Sequence, residues 1–172
     1  KLFLKDSHGD LVEMKKAEFL GQVVLIDTRC KPAYDNGKQM WASDEEFLGP
    51  ILKRLRDKNG IASYKEASSR FSVSSKELDK RILPAVAEKL DVPKVQLETT
   101  IMGNVLPQLY PQMPRRDDGL TNTSEWRAEY FVGASSRLYG GISDFGGLTH
   151  VDDYYIDYHW SYRSFRPLGV IA

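Results

Sequence analysis

An alternating segment near the C-terminus constrains the fold of this chain more than any other feature. From Tyr154 to Arg163, aromatic residues and one isoleucine occupy every second position, and mainly polar residues lie between them. Successive side chains of a strand point to opposite faces of a sheet, so this period of two indicates a strand with one buried face. Aromatic side chains favour such a half-buried surface. We therefore expect a strand over residues 154–163.

The composition excludes several classes of protein. The chain has 172 residues, of which 41% are hydrophobic and 28% charged, as in ordinary globular domains. No apolar run approaches the roughly 20 residues that span a bilayer, and the N-terminus lacks the apolar core of a signal peptide. Basic and acidic residues number 24 each, so no global charge attracts nucleic acid or an acidic membrane. The single cysteine, Cys30, cannot form an internal disulfide.

The chain changes character near Lys94, its last lysine. Residues 95–172 contain 12 of the 19 aromatic residues and eight of the 13 glycines, a mixture that favours short strands and tight loops. We expect an α+β fold with a small N-terminal β/α portion over residues 1–42, a three-helix segment over 43–94 and an antiparallel β-rich portion over 95–172. These portions pack either as one compact domain or as two apposed lobes.

Short strands are predicted at both ends of the chain. Residues 2–4 and 11–12 flank a turn rich in Asp and Gly, which predicts a hairpin. A short helix is expected over residues 15–20. The other predicted strands cover residues 23–26, 130–133, 137–140, 154–163 and 168–171. Prolines from Pro107 onward predict an extended loop between the helices and the C-terminal strands.

Three helix starts carry the same signal. Ser43, Ser63 and Ser74 are each followed three residues later by a glutamate, which is the capping-box pattern. Each predicts the start of a helix. Pro50 predicts a bent or separate first turn in the first helix, and Pro84 predicts a kink or an early end in the third.

The sequence Phe71-Ser72-Val73-Ser74, followed by Leu78 and Ile82, has the order of residues found around the turn of helix-turn-helix proteins. Residues 63–82 therefore resemble a helix-turn-helix motif. The resemblance implies DNA binding, with bases or phosphates contacted by Lys65, Arg70, Ser75, Lys76 and Lys80. The alternative is an ordinary helical bundle, or a motif of this fold that contacts protein.

A second resemblance covers residues 122–168. Trp126, the segment Ser136–Gly141 and the ending Phe165-Arg166-Pro167 are similar to the last part of C-type-lectin-like and formylglycine-generating-enzyme-like domains. Phage and bacterial surface proteins carry such domains. The resemblance implies a binding module on a virion or a bacterial surface, with the cytoplasm as the other location to consider.

Tyrosine, tryptophan and glycine-rich loops favour binding over chemistry, because aromatic side chains give large contact areas at small entropic cost. We expect a protein or surface ligand as the partner, with self-association as a further possibility. The predicted contact residues are Trp126, Arg137, Tyr139, Phe145, Tyr155 and His159. The alternative is that these aromatic residues mainly fill the core.

No recognisable catalytic set is present, so we expect neither an enzyme nor a bound cofactor or metal ion. One cluster could hold a metal ion, and it contains His150, Asp152, Asp153, Asp157 and His159. A solvated strand face is the favoured explanation of these residues, because the alternation places His159 and Asp157 on the polar face of the predicted strand. The leading hypothesis is a non-enzymatic interaction or assembly protein, the second is a helix-turn-helix DNA-binding protein, and the third is a metal-dependent hydrolase using His150 and His159.

Overall fold

Two β-sheets and three helices make up the part of the chain that the structure describes. A computed structural model describes residues 1–6, 8–16, 21–109, 123–132, 135–142 and 150–171. The strands are β1 (Leu2–Lys5), β2 (Leu11–Glu13), β3 (Val24–Ile26), β4 (Lys94–Leu97), β5 (Ser124–Phe131), β6 (Ser136–Ile142), β7 (His150–Tyr155), β8 (Arg163–Phe165) and β9 (Pro167–Val170). The helical elements are α1 (Leu48–Asp57), α2 (Ser75–Glu77), a π-helical segment (Leu78–Ile82), α3 (Leu83–Leu90) and α4 (Thr100–Leu109). The elements from α2 to α3 are continuous, and the predicted α+β class is confirmed.

Strands from distant parts of the chain are neighbours in both sheets. The larger sheet has the order β2-β1-β5-β6-β7, and β8 also pairs with β5. Its pairs are antiparallel except for β5 with β8, which are parallel. The smaller sheet has the order β3-β9-β4 and is antiparallel. The N-terminal and C-terminal portions therefore share both sheets, and β4 lies close to the change in composition at Lys94.

The predicted N-terminal hairpin is confirmed as β1 and β2. Its turn is held by the Asp6 carboxylate, which accepts hydrogen bonds from the backbone N–H groups of His8 at 2.8 Å and Asp10 at 3.0 Å. Gly9 has a φ of +88°, a conformation that glycine adopts easily because it has no Cβ atom. The helix predicted over 15–20 includes residues 17–20, which lie outside the described part of the chain.

The single strand predicted over residues 154–163 is wrong. β7 ends at Tyr155, residues 156–162 form a loop, and β8 begins only at Arg163. β7 pairs with β6 on one side of β5, whereas β8 pairs directly with β5. The chain must therefore cross from one side of β5 to the other between the two strands. Hydrophobic periodicity carries no information about such a crossing.

Two of the three predicted helix starts are wrong. Residues 42–47 form turns before α1, and no side chain caps that helix. Ser43 lies in these turns with a φ of +58°, which is not the conformation of a helix cap. Pro50 falls in the first turn of α1, where its missing N–H is not needed. Residues 61–74 contain no helix, so the start predicted at Ser63 is absent as well.

The third predicted start, at Ser74, is confirmed. Its hydroxyl accepts a hydrogen bond from the Glu77 N–H at 3.2 Å, and the Glu77 carboxylate accepts one from the Ser74 N–H at 2.8 Å. Pro84 does not end the helix early, because α3 continues to Leu90. The π-helical segment comes just before it, and the Leu83 N–H donates to the Leu78 carbonyl. This wider turn lets the helix continue although Pro84 has no N–H to donate.

Helix α4 replaces the beginning of the loop predicted around Pro107. The Glu129 carboxylate accepts hydrogen bonds from the Thr100 N–H at 2.8 Å and from its hydroxyl at 3.2 Å. A carboxylate is favourable at a helix N-terminus. Because this cap comes from β5, no local pattern marks the helix start. Residues 110–122, the remainder of the predicted loop, lie outside the described part of the chain.

One hydrophobic core joins the helices to the sheets. Its buried residues come from the helical segment and from the C-terminal strands, and include Leu48, Leu52, Leu78, Val86, Trp126 and Phe165. The Trp126 Nε1–H donates to the Val73 carbonyl at 2.9 Å. Burial of each large apolar side chain stabilises the fold by about 1.5–3 kcal/mol. The helical portion and the β-rich portion therefore depend on the same core.

Candidate functional site

Tyrosine and tryptophan side chains gather around the loop between β7 and β8. We call this cluster the aromatic surface, and its members are Tyr34, Tyr154, Tyr155, Tyr158, Trp160 and Tyr162. The centroids of contacting rings are 5.1 to 6.2 Å apart, and four of the six contacts are edge to face. Aromatic pairs attract each other in this range and orientation. The rings therefore hold one another in place.

Arg163 lies beneath the aromatic surface and supports it. Its guanidinium carbon is 3.5 Å from the ring centroid of Tyr139, 4.4 Å from that of Trp126, and 5.5 and 5.8 Å from those of Tyr154 and Trp160. Arg163 is 1% exposed, and burial lowers the pKa of its guanidinium to about 10. A desolvated cation is strongly attracted to ring faces. The rings are therefore anchored from inside the protein.

Three tyrosines present the aromatic surface to solvent. Tyr155 is 68% exposed, Tyr158 is 49% exposed and Tyr34 is 37% exposed. Tyrosine has few rotatable bonds and combines a large apolar ring with a polar hydroxyl. Side chains of this kind, already held by their neighbours, can contact another molecule at small entropic cost.

A groove of about 310 Å³ borders the aromatic surface at Tyr155. Phe131, Val132 and Tyr154 contribute apolar wall, and Asp153 contributes a carboxylate. Val132 is itself largely exposed. The groove therefore extends the apolar contact area and adds one negative charge to it.

The loop that carries the aromatic surface is attached to helix α2. The Lys76 N–H donates to the Ile156 carbonyl at 3.0 Å, and Lys76 Nζ lies 2.9 Å from the Asp157 carboxylate. His159 Nε2 is 2.8 Å from the Glu77 carboxylate. Because Glu77 also belongs to the capping box, the start of the helix and the position of the loop are linked.

Three of the six predicted contact residues lie at or near this surface, and a fourth lies outside the described residues. Tyr155 is the most exposed member of the aromatic surface, and Tyr139 lies half-buried over Arg163. His159 is at the surface but pairs with a carboxylate of the helix. Phe145 lies outside the part of the chain that the structure describes.

The prediction that Trp126 and Arg137 contact a partner is wrong. They are 0% and 3% exposed, so neither can contact a partner directly.

Tyr34 and Tyr158 belong to the aromatic surface, but the sequence does not predict them as contact residues. The alternating pattern assigns Tyr158 to a buried strand face, and no local signal brings Tyr34 to the C-terminal segment.

The five residues predicted to contact DNA do not form one surface. Arg70 and Ser75 are fully buried, so neither can reach a phosphate or a base. Lys65 donates to a backbone carbonyl, Lys76 pairs with an acidic residue, and Lys80 is exposed. The first helix of the predicted motif is also absent, as described above.

Two of the five predicted metal ligands form ion pairs, and a third falls outside the described side chains. Asp157 pairs with Lys76, and His159 pairs with Glu77. The side chain of His150 lies outside the described part of the chain. Within that described part, no group of three or more His, Cys, Asp or Glu residues could hold a metal ion.

A network of buried charged side chains forms a second cluster of titratable groups. Arg70 donates to the carboxylates of Asp44 at 2.8 Å and Asp27 at 2.9 Å. The Trp41 ring contacts two guanidinium groups, with the Cζ atoms of Arg70 and Arg166 at 4.0 and 4.4 Å from its centroid. Burial opposes the charge on Asp27, but its arginine neighbours outweigh burial and hold the pKa of this carboxyl well below its usual range.

The same network continues between the sheets. Arg127 Nη1 lies 2.8 Å from Glu98 and 3.5 Å from Glu125, and Arg166 lies 3.4 and 3.3 Å from the same two carboxylates. Lys31 Nζ donates to the Gly141 carbonyl at 2.7 Å. Burial lowers the pKa of Lys31 to about 8 and raises the pKa of Glu98. Each carboxylate faces arginines, so the network connects elements of the fold and we assign no reaction to it.

Two glycines make room for these cations. A Cβ atom on Gly103 would lie 2.4 Å from Cζ of Arg127. A Cβ atom on Gly141, which has a φ of +106°, would lie 2.5 Å from Nζ of Lys31. Neither position can take a larger residue unless a buried charge moves.

No protein-family model, curated protein or solved structure gives a significant match to this chain. Among the described residues, no helix has both the length and the apolar character needed to cross a bilayer. The function is therefore inferred from the geometry of the described residues.

Removal of one carboxylate from the buried network should strongly destabilise the fold. Glu125→Ala would leave Arg127 and Arg166 with one buried carboxylate fewer, and breaking a buried pair on one side costs about 3–5 kcal/mol. We expect a loss of this size in the free energy of unfolding measured with urea. Glu13→Ala is the matched control, because Glu13 pairs with Lys1 at the surface and such pairs contribute less than about 1 kcal/mol. Equal losses in the two variants would contradict the role of the network.

Lys31 should make stability rise with pH. In the folded state burial lowers its pKa to about 8 from the ordinary lysine value of 10.5. Between these values the unfolded chain binds the proton and the folded chain does not, so the free energy of unfolding increases with pH. We expect Lys31→Met to remove this increase in denaturation measurements across the interval. The exposed Lys53→Met variant should keep it, and an unchanged slope in Lys31→Met would refute the assignment.

Glu77 should make stability fall in acid. Burial opposes its ionisation, but hydrogen bonds from His159, Ser74 and Ala62 outweigh burial and lower the pKa of the carboxyl to about 2 from 4.5. The stabilisation is complete above pH 4.5 and is lost as the pH falls towards about 2. Glu77→Gln should show a smaller acid-induced loss in urea denaturation. Glu88→Gln, on the exposed side of α3, should behave as the wild type.

Proposed function

We propose that this protein is a non-enzymatic binding module whose aromatic surface contacts another macromolecule. The observation that carries this proposal is the exposure of Tyr155, Tyr158 and Tyr34 above a buried arginine, Arg163. Tyrosine, tryptophan and arginine are enriched among the residues that dominate binding energy at protein interfaces. Rings that are already fixed lose little further freedom when a partner binds.

The groups beside the rings favour a partner with basic side chains. Asp153 lies in the groove at Tyr155, and Asp152 is exposed beside it. Ring faces attract cations, and carboxylates form strong hydrogen bonds with arginine and lysine. A lysine or arginine of the partner could therefore enter the groove and meet both an aromatic ring and a carboxylate.

The proposed partner is a protein or a ligand on a surface, and a second copy of this chain is the alternative. The resemblance of residues 122–168 to modules of phage and bacterial surface proteins supports a virion or a bacterial surface as the setting. The acidic groove and the exposed tyrosines suit any of these partners that presents basic groups.

Site-specific crosslinking tests the proposal. A photoreactive phenylalanine derivative placed at position 155 or 158 should form a covalent adduct with the partner, and mass spectrometry would identify it. The same derivative at Leu25, which is exposed on β3 in the other sheet, is the control. An adduct between two copies of the chain would identify self-association. Equal labelling from Leu25, or no adduct from either tyrosine position, would contradict the proposal.

The double variant Tyr155→Ala, Tyr158→Ala should weaken binding to the identified partner by about tenfold or more, as expected for interface residues that dominate affinity. The variant removes three ring contacts worth about 0.5–1.5 kcal/mol each, so the free energy of unfolding should fall by a few kcal/mol at most and the protein should stay folded. Leu25→Ala should leave the affinity unchanged. Calorimetric titration would measure both effects.

A further inference from the structure

A cleft of about 430 Å³ lies between the two sheets. It is lined by β1 and β5 of the larger sheet, by β4 of the smaller sheet and by helix α3. Its apolar wall includes Leu83, Ala87, Val95, Leu97 and Ala128. Pockets for small molecules have volumes of about 300–1,000 Å³, largely apolar walls and a few converging polar groups. The size and walls of this cleft therefore suit a small organic molecule.

Four polar side chains meet in the wall of the cleft. The Asp79 carboxylate lies 2.5 Å from Lys5 Nζ and 2.8 Å from Arg137 Nη1, and it accepts a hydrogen bond from the Tyr130 hydroxyl. Arg137 and Tyr130 are buried, and Lys5 is partly exposed. The cleft thus combines an apolar wall with a compact charged group, as amphipathic ligands require.

The helix is irregular where it contributes to this group. Asp79 belongs to the π-helical segment, and Leu83 and Pro84 follow directly at the cleft wall. π-helical turns inside α-helices are rare and occur frequently at functional sites. The turn that accommodates Pro84 thus also sets the position of Asp79 at the cleft wall.

The charges on the cleft wall favour an anion. Among the described lining residues, Lys5, Lys94 and Arg137 are cationic and only Asp79 is anionic. Burial opposes the charge on Asp79, but Arg137, Lys5 and Tyr130 outweigh burial and lower the pKa of this carboxyl. An ammonium group has three donors, and Asp79 uses one of those of Lys5. Lys5 can therefore donate to a second anionic group.

We infer that this cleft binds a small amphipathic carboxylate, with its apolar body between α3 and β4 and its carboxylate at Lys5. Leu83, Ala87 and Val95 would contact the body of the ligand. Lys94 and Arg137 raise the positive potential around the ligand carboxylate. This site is independent of the aromatic surface, so either assignment can fail without the other.

A matched ligand series tests the inference. Octanoate, octanol and octylammonium share one chain and differ in the charge of the head group. Octanoate should bind saturably in methyl-resolved NMR titrations and shift the methyl signals of Ala87 and Ala128. Octanol should bind about tenfold more weakly, because it lacks the charge-assisted hydrogen bond, and octylammonium more weakly still. Absence of saturable octanoate binding, equal binding of all three ligands, or shifts confined to other regions would overturn the inference.

Variants of the cleft separate a specific site from general adsorption. Lys5→Gln should weaken octanoate binding by about tenfold and leave octanol binding unchanged. Ala87→Phe should fill the cleft and weaken both ligands. Lys89→Gln is the control, because Lys89 is exposed on the same helix and does not line the cleft. Because Lys5 is partly exposed, Lys5→Gln should fold even if Ala87→Phe does not. Unchanged octanoate affinity in Lys5→Gln would overturn the inference.

Discussion

The buried charges between the two sheets constrain the rest of the structure. Arg166 lies where the chain passes from β8 in the larger sheet to β9 in the smaller one, and it contacts both Glu98 and Glu125. A charge buried without its partner costs several kcal/mol. Any other placement of the sheets would separate these side chains and leave charges unpaired. The network therefore penalises alternative arrangements, even though a buried ion pair contributes little net stability compared with apolar packing.

The position of Arg166 also determines where the aromatic surface forms. β8 must lie beside β5 so that the next residue reaches the buried carboxylates, while β7 is already paired with β6. Residues 156–162 therefore leave the sheet and cross over it. Their alternating aromatic side chains no longer need a strand partner, because Arg163 and the neighbouring rings hold them. The exposure of Tyr158 is thus a consequence of the connection between two strands.

Local signals in the sequence were reliable where the structure uses local interactions. The hairpin closed by Asp6 and the capping box at Ser74 are satisfied within a few residues, and both are correctly predicted. The capping pattern at Ser63 fails because that segment meets distant groups, such as the buried carboxylates that surround Arg70. The alternation after Tyr154 predicts aromatic clustering but not the loop, because strand crossing depends on pairing partners far away in sequence. Burial of Trp126 likewise follows from a distant backbone acceptor.

The first turns of the helix that begins at α2 connect the two candidate sites. Glu77 contacts His159 in the aromatic loop, whereas Asp79, two residues later, contacts Arg137 and Lys5 in the cleft. Residues two apart on a helix point in nearly opposite directions, because each residue turns the chain by about 100°. One short stretch of helix can therefore hold a surface loop on one side and a charged cleft on the other. The capping box at its start and the π-helical turn that follows set the positions of both carboxylates.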